Sequence, residues 1–219
     1  MTSARRLIDV SHVVEDGLVT YPGLPAPVVS DYLSRPASES RYSVGTTFQI
    51  GRIEMVANTG TYIDAPFHRF EGGMDIAGLP LERIADLEGL VVDAPADRAI
   101  GTAPFEGLDL AMRAVLIRTG WDRHWRTPEY AENAPYVTRE LAELLVRANP
   151  ALVGIDSINI DAMEDGARPA HTLLLGAGIP VVEHLRGLDG LPASGFRFHC
   201  VPVRFRGVGT FPVRAYAIV

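Results

Sequence analysis

Four side chains in this sequence have the chemistry of a metal site or a proton-transfer site: Asp64, His68, His171 and Glu183. Asp64 and His68 lie on either side of Pro66, and Glu183 follows His171 at the end of an apolar run. Carboxylates and imidazoles suit Zn²⁺ or Mn²⁺, and the open coordination positions hold water. A divalent ion lowers the pKa of its bound water to about 7 and so supplies a nucleophile. His68, if it is not a ligand, is then the candidate proton shuttle.

Each of these residues also has a structural interpretation, which the sequence leaves open. His68 is then a half-buried histidine bonded to backbone, Asp64 is a turn or cap residue before Pro66, and Glu183 pairs with an arginine. With 6 histidines and 27 acids in the chain, such spacings also arise by chance.

The elements that must position these side chains are mostly short strands. Apolar runs bounded by turn residues predict buried strands in "RLIDV", "LEGLVVDAP", "RAVLIRTGW", "ALVGIDSINID" and "IPVVEHL". "TYPGLPAPVV" predicts a rigid loop, and "YSVGTTFQIGRIEMVAN" predicts one long strand or a hairpin. The C-terminal segment predicts two long strands joined by a glycine-rich turn.

Two helices are predicted beside these strands. "TRELAELLVRANP" has Thr138 as N-cap and Pro150 as stop, and "AHTLLLGAG" is a short helix ending at glycine. The apolar face of the first helix comprises Leu141, Leu144, Leu145 and Ala148. We expect one α/β domain over residues 1–219, with a curved, barrel-like mixed sheet flanked by a few short helices.

Composition excludes several function classes. The net charge of -7 argues against nucleic acid as a partner, because phosphate binding needs a basic face. All 20 basic residues are arginine, which excludes a Schiff-base lysine and a Walker-type lysine. The single cysteine, Cys200, lies in an apolar run and predicts inert core packing. The N-terminus has no signal-like run and no stretch approaches the ~20 apolar residues of a membrane span, so we expect a cytoplasmic protein without membrane contact.

Several segments together resemble the metal-dependent cyclase superfamily, which includes bacterial kynurenine formamidase and isatin hydrolase. These segments are "DVSHVVEDGLVTYPGLP", "GTYIDAPFH", "IRTGW", "VGIDSINID", "HTLLLGAGIPVVEHL" and "PVRAYAIV". The resemblance implies a swivelling β/β/α fold and a homodimer or homotetramer, in which the loop at residues 21–27 helps to close a neighbouring pocket. It further implies that Asp64, His171 and Glu183 ligate metal, that His68 donates and accepts protons, and that Tyr21 lines the substrate pocket.

The sequence departs from the family motif His-x-Gly-Thr-His-x-Asp-x-Pro-x-His at two positions. Asn58 and Tyr62 stand where the motif has its first two histidines, both of them metal ligands. An amide is a weak, hard donor, and a phenol ligates only once deprotonated, far from its pKa of about 10. We therefore expect at most one divalent ion, Zn²⁺ or Mn²⁺, or none. Asn58 becomes a candidate substrate contact, and Tyr62 a candidate donor to a developing oxyanion.

Three functions remain open at this stage. The first is hydrolysis of a C–N amide, as in an arylformamidase, or of a cyclic amide or lactone, with one ion and His68 as acid and base. The second is a metal-independent cyclase, dehydratase or isomerase that uses His68, Asp64 and Tyr62. The third is a non-catalytic relative that binds a small molecule.

Other polar and aromatic residues receive structural interpretations. Asp156, Ser157 and Asp161 follow a predicted strand, and turn hydrogen bonding is their expected role. Trp125 is expected to pack. His184 follows Glu183 in a predicted strand, so alternation directs it to the opposite face and away from the site.

Overall fold

A nine-stranded curled sheet organises the chain. The computed structural model describes residues 5–94 and 98–219. Among these residues the strands are β1 Leu7–Asp9, β2 Val28–Leu33, β3 Ile50–Glu54, β4 Tyr62–Asp64, β5 Leu87–Asp93, β6 Ala99–Ile100, β7 Ala114–Arg118, β8 Tyr136–Val137, β9 Leu152–Ile155, β10 Val181–Glu183, β11 Ser194–His199, β12 Thr210–Pro212 and β13 Tyr216–Ile218. The α-helices are α1 Arg35–Ser38, α2 Arg139–Ala148 and α3 Pro169–Gly176.

The large sheet has the order β1-β13-β11-β5-β7-β9-β10-β4-β12. Its four central strands, β5, β7, β9 and β10, run parallel, and antiparallel strands flank them on both sides. The central strands β7 and β9 are buried on both faces, which explains why they are continuous apolar runs in the sequence. The expected mixed, barrel-like α/β fold is confirmed.

Apolar clusters fill both faces of this sheet. On one face the buried side of α2 packs with α3, through residues such as Leu141, Leu145 and Leu174. On the other face the curl of the sheet encloses Phe196, Phe198 and their neighbours. The site described below lies at the edge where α3 meets β10 and β4.

The predicted helix α2 is confirmed, with one change at its end. The hydroxyl of Thr138 accepts a hydrogen bond from the amide of Leu141 at 3.3 Å and caps the N-terminus. Asn149 ends the helix in the left-handed conformation, with φ of 51°. The helix therefore stops one residue before Pro150, at a side chain that tolerates this conformation.

Two strand predictions are wrong in their pairing. The alternating segment before Asn58 contributes only β3, which pairs antiparallel with β2 in a separate two-stranded sheet. The C-terminal segment forms three strands: β11 pairs with β5 and β13, whereas β12 pairs with β4 near the opposite edge. A β-rich composition indicates extended chain but not its partner, and here residues 200–209 carry the chain from one side of the sheet to the other.

Two further expectations can be compared with the described residues. Cys200 is buried, its pKa is raised by burial, and inert packing is confirmed. None of the helices described is both long and apolar enough to cross a bilayer. Residues 1–4, which belong to the expected leaderless N-terminus, and Pro95, at the end of the "LEGLVVDAP" run, lie outside the described residues.

Candidate active site

Three adjacent strands bring Tyr62, Asp64, Glu183 and Thr210 together. In the antiparallel register Glu183 faces Tyr62 across β10 and β4, and Thr210 faces Asp64 across β12 and β4. Residues directly opposite one another have Cβ atoms about 4.5–5.5 Å apart, and alternate residues of a strand share a face. Sheet geometry therefore collects these polar side chains on one face, and Tyr62, Asp64, Glu183 and Thr210 are all buried.

His171 reaches this cluster from α3 and is held by Asp161. One carboxylate oxygen of Asp161 accepts from the His171 amide at 3.0 Å and lies 2.7 Å from the ring Nδ1. The other accepts from the amide of Ala170 at 2.6 Å, so Asp161 also caps the helix. The His171 Nε2 is left facing Asp64 Oδ2 and Glu183 Oε1, each at 3.5 Å. A carboxylate on the remote nitrogen is how proteins orient a metal-binding histidine.

His68 approaches from the open side, on the turn Pro66–His68. Its Nδ1 lies 2.9 Å from the hydroxyl of Thr210, which donates its single proton to Asp64 Oδ1. The His68 Nδ1 must then carry a proton and donate to Thr210. This leaves the Nε2 of a half-exposed ring with a free lone pair, as a general base requires.

The pKa values of His171, Glu183 and Asp64 are shifted by burial and by the charges of their neighbours. Burial lowers the pKa of His171, but Glu183, Asp161 and Asp64 outweigh burial and raise it to about 10. Burial raises the pKa of Glu183 to about 7, although His171 beside it acts in the opposite direction. For Asp64, burial raises the pKa, but hydrogen bonds from His171 and Thr210 and the electrostatic influence of the two nearby histidines outweigh burial, so the pKa is lowered. Without a cation, the floor of the site therefore holds anionic Asp64 beside a positive His171.

The donor set fits one cation. Asp64, His68 and His171 each offer a ligand atom, and these atoms lie within 4.8 Å of one another. Asp64 Oδ2 is buried and has no hydrogen-bond partner among the described residues. The Glu183 carboxylate also lies beside His171, but Tyr62 donates to its Oε2 and the Ile160 amide to its Oε1, each at 2.7 Å. The geometry thus places Glu183 beside a possible ion rather than free to hold it.

A cavity of about 440 Å³ opens above this floor. Both predicted substrate contacts, Tyr21 and Asn58, lie on its wall. The lining residues are Tyr21, Pro22, Gly23, Leu24, Asn58, Tyr62, His68, Arg69, Asn159, Arg168, His171 and Glu183. The loop expected to close a neighbouring pocket therefore lines the cavity of its own chain through its residues 21–24.

Comparison with known proteins identifies the family of this chain. Residues 8–162 match the model of the family described as "Putative cyclase". The chain belongs to the cyclase family. The match covers more than half of the chain and includes β4 with Tyr62 and Asp64, whereas His171 and Glu183 lie beyond it.

Relatives within the cyclase family align over nearly the full length. The chain is 26% identical to kynurenine formamidase from Bacillus cereus over 209 residues, covering 95% of each protein. It is 29% identical to cyclase-like protein 3 from Oryza sativa over 223 residues, covering 97% of this chain and 80% of that protein. Isatin hydrolase A from Labrenzia aggregata, solved with bound benzyl benzoate, superposes with a TM-score of 0.82 at 23% identity, covering 98% of this chain and 94% of that one. A structure described as a potential metal-dependent hydrolase with cyclase activity gives 0.75 at 24% identity, covering 98% of each chain. These superpositions show that the fold is shared.

The sequence predicts neither Thr210 nor His184 as part of this cyclase-family site. The Tyr62 hydroxyl donates its only proton to Glu183, so the His184 Nε2, 3.3 Å away, must be protonated and donate to Tyr62. The His184 Nδ1 then accepts from the hydroxyl of Tyr130 at 2.9 Å. Burial lowers the pKa of His184 to about 3, which keeps the ring neutral. A one-way hydrogen-bond chain thus runs from Tyr130 to Glu183.

The prediction for His184 was wrong because the strand ends one residue earlier. β10 stops at Glu183, and His184 has a φ of 57°, so strand alternation no longer sets its direction. Tyr62 is likewise placed differently from its expected role. Because its proton goes to Glu183, donation to a substrate oxygen requires that Glu183 first release it.

The remaining polar candidates divide into two groups. Asp156 accepts from the amide and hydroxyl of Thr119, and Ser157 donates to the Pro135 carbonyl at 2.8 Å, so both hold turns as expected. Asp161 instead orients His171. It lies eight residues before Pro169, the first residue of α3, so the usual sequence signal of a capping carboxylate is absent, and its contact with His171 depends on the path of the loop between them.

Proposed function

We propose that this cyclase-family protein hydrolyses a C–N amide bond, in an aryl formamide or a cyclic amide, or the ester bond of a lactone, in a small carbonyl compound. One observation carries the proposal: Asp64 Oδ2, which has no hydrogen-bond partner among the described residues, lies 3.5 Å from the Nε2 of His171, and His171 and His68 line an open cavity. Support also comes from the kynurenine formamidase relatives, whose alignments cover 95% of the chain.

Asp64 and His171 are the proposed ligands of one divalent ion, with Glu183 as the third ligand once it gives up the hydrogen bond from Tyr62 or from the Ile160 amide. An ion such as Zn²⁺ or Mn²⁺ bound there lowers the pKa of water and polarises a carbonyl oxygen. The imidazole of His171 is pre-oriented for this role by Asp161, which fixes Nδ1 as the protonated nitrogen.

His68 is the proposed acid and base. Its Nε2 accepts a proton from the attacking water and returns it to the leaving nitrogen or oxygen, while Thr210 holds the ring through Nδ1. Asn58, which lines the cavity with Tyr62, is the proposed hydrogen-bond donor to the substrate carbonyl. A proton acceptor at the rim and a polarising group at the floor are the two requirements for amide hydrolysis.

The test combines elemental analysis with kinetics. Protein purified without chelator is expected to contain about one divalent ion per chain, and chelation is expected to abolish turnover of formanilide and of a matched cyclic amide and lactone. His68→Ala is expected to lower kcat by roughly 10²–10⁴-fold. The control is His124→Ala, which changes a histidine outside the cavity lining and should leave turnover unchanged. Protein without an ion, with activity indifferent to chelator, would refute the metal-dependent mechanism.

A specific observation favours a second candidate, metal-independent ring closure, dehydration or isomerisation. Without a cation the polar cluster is already compensated, because His171 is positive beside Asp64 and Tyr62 donates to Glu183. A carboxyl group with a pKa of about 7 is itself suited to acid–base chemistry. Activity that survives exhaustive chelation and is lost in Tyr62→Phe would select this candidate. Saturable calorimetric binding without any turnover would select the third, a non-catalytic binding protein.

We also propose that a second copy of this chain covers the β2–β3 hairpin, giving a homodimer or homotetramer. The hairpin carries an unusual share of exposed apolar side chains: Val28, Val29, Tyr32, Ile50 and Ile53. Sedimentation equilibrium should show a dimer or tetramer in the parent and a smaller species in Ile53→Glu. The matched control is Leu81→Glu, an exposed apolar site elsewhere. A monomeric parent protein would contradict the proposal.

A further inference from the structure

Two arginines line the cavity of a protein whose net charge is -7. Neither Arg69 nor Arg168 has a carboxylate within 4.0 Å in the part of the chain that the structure describes. Glu164 is close enough for Arg168 to influence its pKa, but its ion pair is with Arg98. The positive charges of both cavity arginines are therefore available to a ligand.

Arg168 is held in place by neutral oxygens alone. Its Nη1 donates to the Asn159 side chain at 3.3 Å and the Ala162 carbonyl at 3.2 Å. Its Nη2 donates to the Met163 carbonyl at 3.3 Å and the Tyr21 hydroxyl at 3.5 Å. Because Asn159 and Tyr21 also line the cavity, the guanidinium lies at the cavity wall. Neutral acceptors fix its position and leave its charge uncompensated.

The backbone of Arg168 supports a positional role. It adopts φ of 47° and ψ of 59°, the left-handed conformation that non-glycine residues seldom take. Such strain persists where the surrounding structure enforces it, often at binding sites. Arg69 directly follows His68 in the chain, and its Nε donates to the Thr172 hydroxyl at 3.1 Å. The two arginines thus approach from the two elements that also carry His68 and His171.

The carboxylate that lines the cavity, that of Glu183, already has hydrogen-bond partners, unlike the charges of the two arginines. Among the described lining residues Glu183 is the one carboxylate, and its oxygens already accept from Tyr62 and the Ile160 amide. The cavity therefore offers unpaired positive charge on the arginines and an occupied carboxylate at its floor. This separation favours a ligand with an anionic end near the arginines and a neutral carbonyl over the floor.

We propose that Arg168 and Arg69 bind a carboxylate of the substrate. The substrate is therefore an amide or a lactone that also carries a free carboxylate group. The inference rests on the proposed function for the reacting bond but identifies a separate group of the ligand. A planar guanidinium matches a carboxylate with two parallel hydrogen bonds, which gives orientation as well as affinity. The cavity of about 440 Å³ is of the size that small ligands occupy.

A binding experiment tests the proposal without requiring turnover. Benzoate and its neutral isostere benzamide are titrated calorimetrically into chelator-treated protein, so that no cation at the floor attracts the anion. The parent is expected to prefer benzoate by roughly 10- to 100-fold, the range of a charge-assisted hydrogen bond. Arg168→Gln and Arg69→Gln should each remove most of this preference, whereas the control Arg204→Gln should keep it. Arg204 is a suitable control because its guanidinium also donates to a neutral carbonyl, that of Ala77, but lies outside the cavity lining.

Two outcomes would overturn the proposal: equal affinity for benzoate and benzamide in the parent, or a preference that survives both cavity substitutions. Arg168→Lys keeps the charge but loses the planar fork, and an intermediate preference is expected. If Arg168→Gln does not fold, this variant and the exposed Arg69→Gln decide the result.

A kinetic arm separates this inference from the proposed function. Arg168→Gln should raise the KM for 2-formamidobenzoate by roughly 10- to 100-fold and change the KM for formanilide much less. If neither compound is turned over by any form of the protein, the proposed function fails, and the calorimetric result still decides whether the arginines bind a carboxylate.

Discussion

Replacing Tyr62 by phenylalanine removes one oxygen atom from the centre of the hydrogen-bond chain beneath the cavity. The Tyr62 hydroxyl donates to Glu183 Oε2 at 2.7 Å and accepts from His184 Nε2 at 3.3 Å. The phenylalanine ring fills the same buried space, so packing changes little. The effect of Tyr62→Phe therefore reports on two polar groups that lose their partner.

The magnitude follows from burial. A buried polar group without a partner costs about 1–3 kcal/mol, with the short bond to Glu183 near the upper limit and the longer one to His184 near the lower. Their sum, about 3–4 kcal/mol, lowers Tm by roughly 6–16 °C in a chain of this length. The loss should also depend on pH. Burial raises the pKa of Glu183, whereas the Tyr62 hydrogen bond lowers it, so the variant should have a still higher pKa at Glu183.

The sign of the pH dependence follows from proton linkage. A carboxyl whose folded pKa is raised stabilises the fold below its unfolded value of 4.5, and this stability is lost as pH rises to the folded value of about 7. In Tyr62→Phe the loss continues to higher pH. The destabilisation relative to the parent protein should therefore be larger at pH 8 than at pH 5.

Urea denaturation of chelator-treated parent and variant at these two pH values measures the effect. Tyr130→Phe is the matched control, since it removes the hydroxyl at the far end of the chain and leaves the bond between Tyr62 and Glu183 intact. It should cost less, about 1–2 kcal/mol, with little dependence on pH. Equal stability of Tyr62→Phe and the parent, or a deficit that is independent of pH, would refute the assigned donor directions.

Three further predictions concern the supports of the site and its pH limits. Asp161→Asn removes the carboxylate that orients His171, and cation affinity measured by chelator competition should fall roughly 10- to 100-fold, whereas an unchanged affinity would contradict the orienting role. An added Cβ at Gly209 would overlap the backbone of His68. Gly209→Ala should therefore lower kcat at least about tenfold, while circular dichroism shows that the chain is still folded. Full activity would mean that the turn that carries His68 can shift freely. Burial, aided by nearby arginines, lowers the pKa of His12 from 6.5 to about 4, so the parent protein loses stability as pH falls through this window. Between pH 7 and pH 4.5, the free energy of unfolding of His12→Asn should therefore rise by about 2 kcal/mol relative to that of the parent, as measured by denaturation at the two pH values. A difference between variant and parent that is the same at both pH values would contradict this.

The sequence predicts those parts of the fold that depend on local patterns. The runs that became β7 and β9 are almost entirely apolar because both faces of the central sheet are covered. Helix α2 shows its apolar face and its Thr138 cap in a single stretch of chain. The partner of β12 is not a local property: Thr210 pairs with Asp64, 146 residues earlier, and the composition of either strand contains no record of that register.

The same distinction applies to the site. Asp64, His68, His171 and Glu183 were expected together, and the structure places them around one cavity floor, although their roles stay predictions. Thr210 and His184 could not be expected from spacing. Thr210 enters through a strand pairing, and His184 through a single left-handed residue after a strand end. Both depend on backbone direction, which residue types indicate only weakly.

The metal-dependent and metal-independent candidates differ in which positive charge lies between Asp64 and Glu183. The His171 Nε2 has one lone pair, so it holds either a proton or a metal ion, and the nearby carboxylates stabilise both. Tyr62 bears on the choice because its hydroxyl donates a hydrogen bond that stabilises the Glu183 carboxylate and so reduces the need for a cation. The arginines in the cavity wall also orient the ligand by charge. An anionic group bound near them stays away from the negative floor, so a neutral carbonyl is the part of the molecule that faces His171 and His68. The charge of the floor then determines which end of a substrate reaches the reacting groups. This holds whether the His171 Nε2 carries a proton or a metal ion.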